Sequence, residues 1–322
     1  MGPAESYLLS AREPVKVSVA ICTWNRAKLL DETLLTMRAL DVPPNVEWEV
    51  IVVDNNSADE TSRVLDRHAS HLPLVALFEP QAGKSYAANL AASRADGDLL
   101  IWTDDDVRVA AGWLSAYVDA ARRSPEAAFF AGPIDPWFET PPPPWIDRHL
   151  SSLTGVYVIV DHGPDYRRLA HDEAVFGANM AFRTDVARAF PLNERLGRIR
   201  GSLIGGDDTE LIKRVHDAGF HGVWVPAARV QHFVPTERLT KHYVKRWFTD
   251  AGRNFVRQGG LLAPHRTVRG VPTWVARELV QSEARRCFAL MADRPRWFAH
   301  FRRSMMLRGV IREALYTATA PE

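Results

Sequence analysis

The chain has 322 residues, 46% hydrophobic and 25% charged, with a formal net charge of +1. It has ample material for a buried core, and it lacks the charge excess of a nucleic-acid binder. No stretch approaches about 18 consecutive apolar residues, which argues against a membrane-spanning helix.

Residues 1–15 lack a basic head and an apolar segment, so no signal peptide is expected. Met1-Gly2 with Ser6 fits a myristoylation pattern only formally, because Pro3 and Glu5 suit it poorly. Cys22 and Cys287 are too few and too far apart for a disulfide framework or zinc cluster. A reducing cytoplasm is the expected setting.

Residues 17–22 read as a buried strand, broken by Thr23-Trp24-Asn25-Arg26. Leu30, Leu34 and Met37 then fall at helical spacing, predicting a helix over 26–40. A second strand over 48–53 ends at Asp54-Asn55-Asn56-Ser57, and Ser57 with Glu60 forms a capping-box pattern before a helix over 58–68. A strand over 74–78, an alanine-rich helix over 83–94 and a strand over 99–103 follow. This alternation predicts βαβ units and a parallel sheet, with the polar strand ends collected along one edge, where a nucleotide would bind. Neither G-x-G-x-x-G nor a P-loop occurs there.

The fourth strand runs into Asp104-Asp105-Asp106. Three adjacent carboxylates repel one another, and oxygen-only ligands suit Mg²⁺ or Mn²⁺. The alternative is an acidic loop or cap, since acidic runs are commonly just solvated. Period-two alternation would turn Asp105 away from its two neighbours. Lys84 follows Gly83 at a helix start, where ammonium and helix dipole both attract phosphate; an ordinary solvated lysine is the competing reading.

The second half is less regular. Strands are expected over 127–131, 156–160, 176–182, 222–225 and 229–233, the last ending near His232. A polyproline loop spans 141–144. Asp207-Asp208 precede a helix over 209–218 closed by Gly219, where Asp208 could serve as N-cap. A basic, aromatic helix is expected over 239–257. Residues 261–322 carry eleven arginines against Glu278, Glu283, Asp293, Glu313 and Glu322, a net of +6. Aromatic and apolar residues sit among Arg294, Arg296, Arg302, Arg303 and Arg308. Such a mixture suits a helical appendage packed on the main domain, with peripheral contact to an anionic membrane as the other reading.

These motifs, in this order, resemble a family 2 glycosyltransferase of the GT-A fold over about residues 15–259. The resemblance implies an α/β fold, a Rossmann-like, mostly parallel sheet flanked by helices, with a glycosyltransferase domain over 1–260 and a helical extension over 261–322. It implies nucleotide contacts from Thr23, Asn25, Arg26, Asp54, Asn56, Lys84, Asp104 and Asp105, although Arg26 could equally just start the helix. Asp54 would recognise the base, although Asp at a strand end also makes local turns. Asp104-x-Asp106 resembles the D-x-D motif, which implies a metal held by Asp106, by Asp104, which could instead reach the ribose or a metal-bound water, and by a late histidine, His232, for which a core-edge histidine is the competing reading. Gly177-Ala178-Asn179-Met180 resembles the acceptor-side strand, implying acceptor contacts from Gly177 and Asn179. Gly206-Asp207-Asp208-Thr209-Glu210-Leu211 resembles G-E-D-[TS]-x-L, with Asp208 as catalytic base beside Asp207, which departs from the usual glutamate. Tyr243-Val244-Lys245-Arg246-Trp247 partly resembles the Q-x-x-R-W of processive synthases, with Tyr243 in place of Gln. This implies a diphosphate contact from Arg246 and an acceptor contact from Trp247, although an aromatic on a helix is more often core.

The resulting expectation is an inverting, non-processive transferase with Mn²⁺ or Mg²⁺. It would move one sugar from a nucleoside diphosphate, UDP-linked by the resemblance, to a hydroxyl of a glycan, lipid-linked, natural-product or protein acceptor. The setting is cytoplasmic, with membrane association left open. The rivals are a nucleotidyltransferase, which would show a Gly-rich basic loop where Thr23-Trp24-Asn25-Arg26 stands, and a non-catalytic carbohydrate-binding protein, against which Asp106 and Asp208 argue.

Overall fold

The computed structural model describes residues 15–196, 205–261, 266–291 and 296–319. Gly2 and Arg294 lie outside them. β1 (Val15–Thr23), β2 (Val46–Asp54), β3 (Leu74–Phe78) and β4 (Leu99–Asp104) alternate with α1 (Ala27–Met37), α2 (Thr61–Ala69) and α3 (Lys84–Arg94). The apolar runs of β1, β2 and β4 form parallel strands with both faces covered, while β3 at the sheet's edge is largely exposed. Val19 and Ala20, Val52 and Val53, and Leu100 and Ile101 are all buried, so successive side chains on opposite faces are equally enclosed. Ala87, Ala88 and Ala91 let α3 lie close on β1 and β2.

β5 (Val107–Val109), α4 (Trp113–Arg123), β6 (Phe129–Ala131), β7 (Ile134–Phe138), α5 (Pro144–Asp147), α6 (Thr154–Tyr157), β8 (Arg167–Arg168) and β9 (Asn179–Arg183) follow. Then come α7 (Thr184–Ala189), α8 (Asp207–Asp217), β10 (Gly222–Trp224), β11 (Val230–Val234), α9 (Lys241–Arg257), β12 (Thr267–Val268), β13 (Val271–Pro272), α10 (Thr273–Met291) and α11 (Trp297–Thr319). The large sheet runs β3-β2-β1-β4-β9-β6-β10-β8, and β5, β11 and β7 form a small one.

Register brings the expected polar ends level. Thr23 lies opposite Asp54, and Cys22 opposite Asp104. β9 runs antiparallel to β4, with Asn179 opposite Thr103. The start of β9 is therefore at this edge, and Gly177 arrives there with it.

Several local expectations are corrected. Ser57 does not cap α2, which begins at Thr61. Ser57 instead accepts from Asn25 N, while Asp59 accepts from Thr61 N and from Ala27 N at the start of α1, joining two helix ends. The stretch expected as a strand over 156–160 opens with α6, and only Val160 bridges, to Ile134. Pro144 starts a short helix, as proline's fixed φ permits at a first turn. His232 stands in the middle of β11, not at its end.

The described residues form two compact units. One comprises residues 15–137, 158–196 and 206–233; the other comprises 138–157, 205 and the described residues from 234 to 319. Within the second unit α11 packs against α9 and α10. Arg253 and Arg257 of α9 both bind Glu313, which is 3% exposed. Arg303 makes a two-pronged pair with Glu278, and Arg308 binds Glu283. Among the described residues no helix is long and apolar enough to cross a membrane.

The α9–α11 crossing depends on two glycines. A Cβ on Gly309 would stand 1.9 Å from Thr249 O, and one on Gly252 1.9 Å from Met306 O. Gly→Ala in a helix ordinarily stabilises by about 1 kcal/mol. Here Gly309→Ala should do the reverse, costing about 1–3 kcal/mol through overpacking. Urea unfolding measures it, and an unchanged or raised midpoint would contradict this packing.

Candidate active site

β4 ends at Asp104 and β5 begins at Val107, so Asp105 and Asp106 occupy the turn between them. Strand alternation does not govern a turn, and the expectation that Asp105 faces away from Asp106 fails. Arg26 Nη1 donates to Asp105 Oδ1 and to Asp106 Oδ2, both at 2.8 Å. Thr23 Oγ1 also donates to Asp105, at 2.8 Å. Lys84 Nζ binds Asp104 Oδ1. Burial pushes the Asp105 carboxyl up to about 6, against the pull of Arg26. Asp105 and Asp106 hold the Arg26 guanidinium firmly charged. Burial opposes the Lys84 ammonium, but Asp104 and Asp207 outweigh it and keep that pKa raised.

β11 runs antiparallel to β5, setting His232 opposite Val107, and Phe233 N donates to Asp106 O at 2.8 Å. His232 Nε2 comes 3.5 Å from Asp106 Oδ1. Asp104, Asp106 and His232 each offer a ligand atom, all within 4.8 Å of one another. Two carboxylates and an imidazole fit a hard-to-borderline divalent ion, Mn²⁺ more readily than Mg²⁺ because of the nitrogen.

The second acidic pair is positioned by Gly206. Its φ of +109° ends the preceding chain and starts α8, a conformation that costs glycine little. Gly206 is the N-cap residue and no side chain caps this helix. The N-cap alternative for Asp208 therefore falls, because Asp208 lies inside the first turn. Ser85 Oγ donates to Asp207 Oδ2 at 3.1 Å. Asp208 accepts from Thr209 N at 2.8 Å and from Gly177 N at 3.2 Å. Burial and the neighbouring Asp207 charge raise the Asp208 pKa.

Two small cavities meet at Lys84. One of about 150 Å³ is lined by Thr23, Trp24, Arg26, Asn55, Asp104 and Asp105, among others. The other, about 20 Å³, has Trp102, Gly177, Met180, Asp207 and Asp208 in its wall. Lys84 borders both.

Other expected residues hold the edge of the sheet together. Asp54 Oδ1 accepts from Ser57 N at 2.9 Å, the local turn weighed above, and Asn25 Oδ1 accepts from Ala58 N at 2.7 Å. Asn25 and Asn56 both adopt positive φ, +50° and +66°, which asparagine tolerates. Asn55 went unnoticed in the sequence. It donates to Glu79 O and Gln81 O and accepts from Gly83 N, fixing the loop that delivers Lys84. Its only signal was membership of the Asp-Asn-Asn-Ser cluster.

Asn179 is a correction. It is 1% exposed; it accepts from Trp113 Nε1 and Tyr117 OH and donates to Pro133 O and Ala228 O. With its amide fully engaged inside the fold, it has nothing to offer an acceptor. Asn179→Ala should cost about 3 kcal/mol or more, since each stranded buried partner costs about 1–3 kcal/mol. Urea unfolding checks this, and a loss under about 1 kcal/mol would contradict the buried network.

Arg246 and Trp247 belong to α9 in the second unit. Arg246 Nε lies 3.8 Å from Asp250, and Trp247 packs edge-on against Phe248 with its ring beside Gly155.

Residues 18–185 match the family described as Glycosyl transferase family 2. The chain is 28% identical over 235 residues to the succinoglycan biosynthesis protein ExoM of Rhizobium meliloti (strain 1021), covering 71% of this chain and 70% of that protein. It is 32% identical over 94 residues to the poly(ribitol-phosphate) beta-N-acetylglucosaminyltransferase TarS of Staphylococcus aureus, over 29% of this chain and 16% of that one. Among solved structures, the mannosyltransferase PcManGT from Pyrobaculum calidifontis, in complex with GDP-Man and Mn²⁺, superposes with a TM-score of 0.62. The two are 18% identical, over 97% of this chain and 90% of that one. S. aureus TarS 1–349 in complex with UDP-GlcNAc gives a TM-score of 0.54 at 14% identity, over 94% and 91%. The fold is GT-A, an α/β sheet with a helical C-terminal region. The chain belongs to glycosyl transferase family 2 and is a glycosyltransferase.

Proposed function

We propose that this glycosyltransferase moves a single sugar, with inversion, from a nucleoside-diphosphate donor to an acceptor hydroxyl. The observation that carries this reading is that Lys84 binds Asp104, a member of the Asp104, Asp106 and His232 group, and also borders the cavity walled by Asp207 and Asp208. Asp104, Asp106 and His232 would hold Mn²⁺ or Mg²⁺. Such an ion, when bound, neutralises charge on the departing diphosphate. Asp208 takes the acceptor hydroxyl proton as the new bond to the anomeric carbon forms and the bond to the diphosphate breaks. Asp207, held by Ser85, sets the geometry beside it.

One base facing one leaving group suits a single displacement, which inverts the anomeric centre. Thr23, Arg26, Lys84 and Asp105 line the donor side, with Asp54 at the base end, and Gly177 lies on the acceptor side. The donor class is supported by relatives whose structures contain UDP-GlcNAc or GDP-Man; a UDP-linked sugar is the first candidate. The acceptor is a glycan or another hydroxyl-bearing molecule. Residues 1–260 form the transferase domain and 261–322 its extension, working in the cytoplasm. Family membership removes the nucleotidyltransferase rival.

A thermal-shift panel of UDP- and GDP-sugars with Mn²⁺ tests the reading. A donor at about 100 times its Kd should stabilise the fold by about 2.7 kcal/mol. The matching sugar should also be transferred to product with opposite anomeric configuration, read by NMR. No stabilisation by any nucleotide sugar, or a retained configuration, would overturn it.

A further inference from the structure

We infer that Lys84 and Arg26 are resident counter-cations of the acidic turn, which make metal binding and donor-diphosphate binding depend on each other. The inference rests on the donor-and-metal reading above and adds a mechanism for coupling the two ligands. Asp104 is bound by Lys84, and Asp105 and Asp106 by Arg26. The two carboxylates that would take the metal, Asp104 and Asp106, are thus each held by a protein cation.

Both cations also line the larger cavity, so the groups neutralising the acids face the space an incoming diphosphate would enter. The helix start adds to the pull that Lys84 exerts on an anion. Lys84 is the first residue of the eleven-residue helix α3, whose N-terminal N–H groups favour anions. The Gly83 φ of +148° directs the chain into that helix, and the Asn55 bond to Gly83 N holds it.

Charge then sets the order of events. Three carboxylates against two cations give −1 in the turn. A divalent ion alone must approach Lys84 and Arg26 and leaves the cluster at +1. A diphosphate alone meets cations already held by carboxylates. When both arrive, Lys84 and Arg26 transfer to phosphate oxygens, the acids are released to the metal, and a donor carrying two negative charges returns the cluster to −1. No bond is made or broken in this exchange; only ion pairs change partners. Coupling of this kind is reciprocal: the factor by which diphosphate tightens the metal equals that by which metal tightens diphosphate.

Mn²⁺ titrations of the intact protein, read by the EPR signal of free Mn²⁺, test this with and without saturating UDP, and with GDP in parallel. Wild type should bind Mn²⁺ weakly alone and at least about tenfold more tightly with nucleotide, within the usual 5–150-fold range of couplings. Lys84→Gln removes one resident cation. It should bind Mn²⁺ alone about tenfold more tightly than wild type and lose most of the nucleotide effect, whereas Lys84→Arg should keep it. Unchanged or weaker Mn²⁺ binding in folded Lys84→Gln, with coupling intact, overturns the counter-cation role and leaves the donor-and-metal reading standing. Wild-type protein that binds Mn²⁺ equally well with and without nucleotide overturns the role as well, whether or not the variant folds. Absence of Mn²⁺ binding even with nucleotide overturns both.

Discussion

Asp208→Asn is expected to fold, to bind nucleoside diphosphate as wild type does, and to turn over about 10²–10⁴-fold more slowly, the usual effect of removing a general base. The substitution is nearly isosteric. The amide oxygen can still accept from Gly177 N or Thr209 N, so the contacts that seat the side chain survive in part. No helix cap is lost, because Gly206 occupies that position. What disappears is the ability to take a proton.

The pH dependence follows from the sign of the shift. Burial and Asp207 raise the pKa of Asp208, and the base proposed here works only when deprotonated. Wild-type turnover should therefore fall as pH drops through that raised pKa, at a pH above the ordinary aspartate value, and the residual turnover of Asp208→Asn should lack this limb. Asp207→Asn should cost less, because Asp207 is held by Ser85 and acts on geometry. Near-normal turnover in Asp208→Asn, or a larger loss in Asp207→Asn, would move the base to another residue.

The first half of the fold was legible because parallel strands covered on both faces must be apolar throughout. The runs ending at Thr23, Asp54 and Asp104 carry that signature and were matched closely. The second half was less so for physical reasons. Residues 156–160 contain β-branched valines that fit a strand by composition, yet Val156 and Tyr157 close a short helix buried in the second unit. Propensity is a weak guide where tertiary burial decides.

The site shows the same division. That acids collect along one edge of the sheet could be read from strand ends and the motif string. How they are neutralised could not, because the partners of Asp104, Asp105 and Asp106 come from residues 20 to 80 positions away. Asn179 is instructive in the opposite direction. A polar residue near the active edge looks like a ligand contact, but at the start of β9 its side chain serves Trp113, Tyr117 and two carbonyls. Sequence position put it beside the site, and only packing shows which way it faces.

Asp106→Asn should abolish the Mn²⁺-dependent tightening of nucleoside diphosphate binding and reduce turnover by at least about a hundredfold, since metal stabilisation of a leaving group is worth several kcal/mol and each 1.36 kcal/mol is tenfold in rate. On the proposed reading, Asp106 is the acid that the ion depends on most. It lies 3% exposed in the turn, Phe233 N holds its backbone, and His232 stands 3.5 Å from its carboxylate. The amide fills the same space and can accept from Arg26, so the turn should keep its shape while losing one negative charge from the metal set. Diphosphate binding without metal should survive, because Arg26 then has one fewer carboxylate to satisfy and Lys84 is untouched. This outcome separates the two roles of the cluster. Losing a metal ligand removes coupling by weakening Mn²⁺, whereas losing Lys84 removes it by strengthening Mn²⁺ in the absence of nucleotide. Calorimetric titration of UDP into Asp106→Asn with and without Mn²⁺ decides the matter; a metal effect of wild-type size would take Asp106 out of the metal site and leave Asp104 and His232 to account for it.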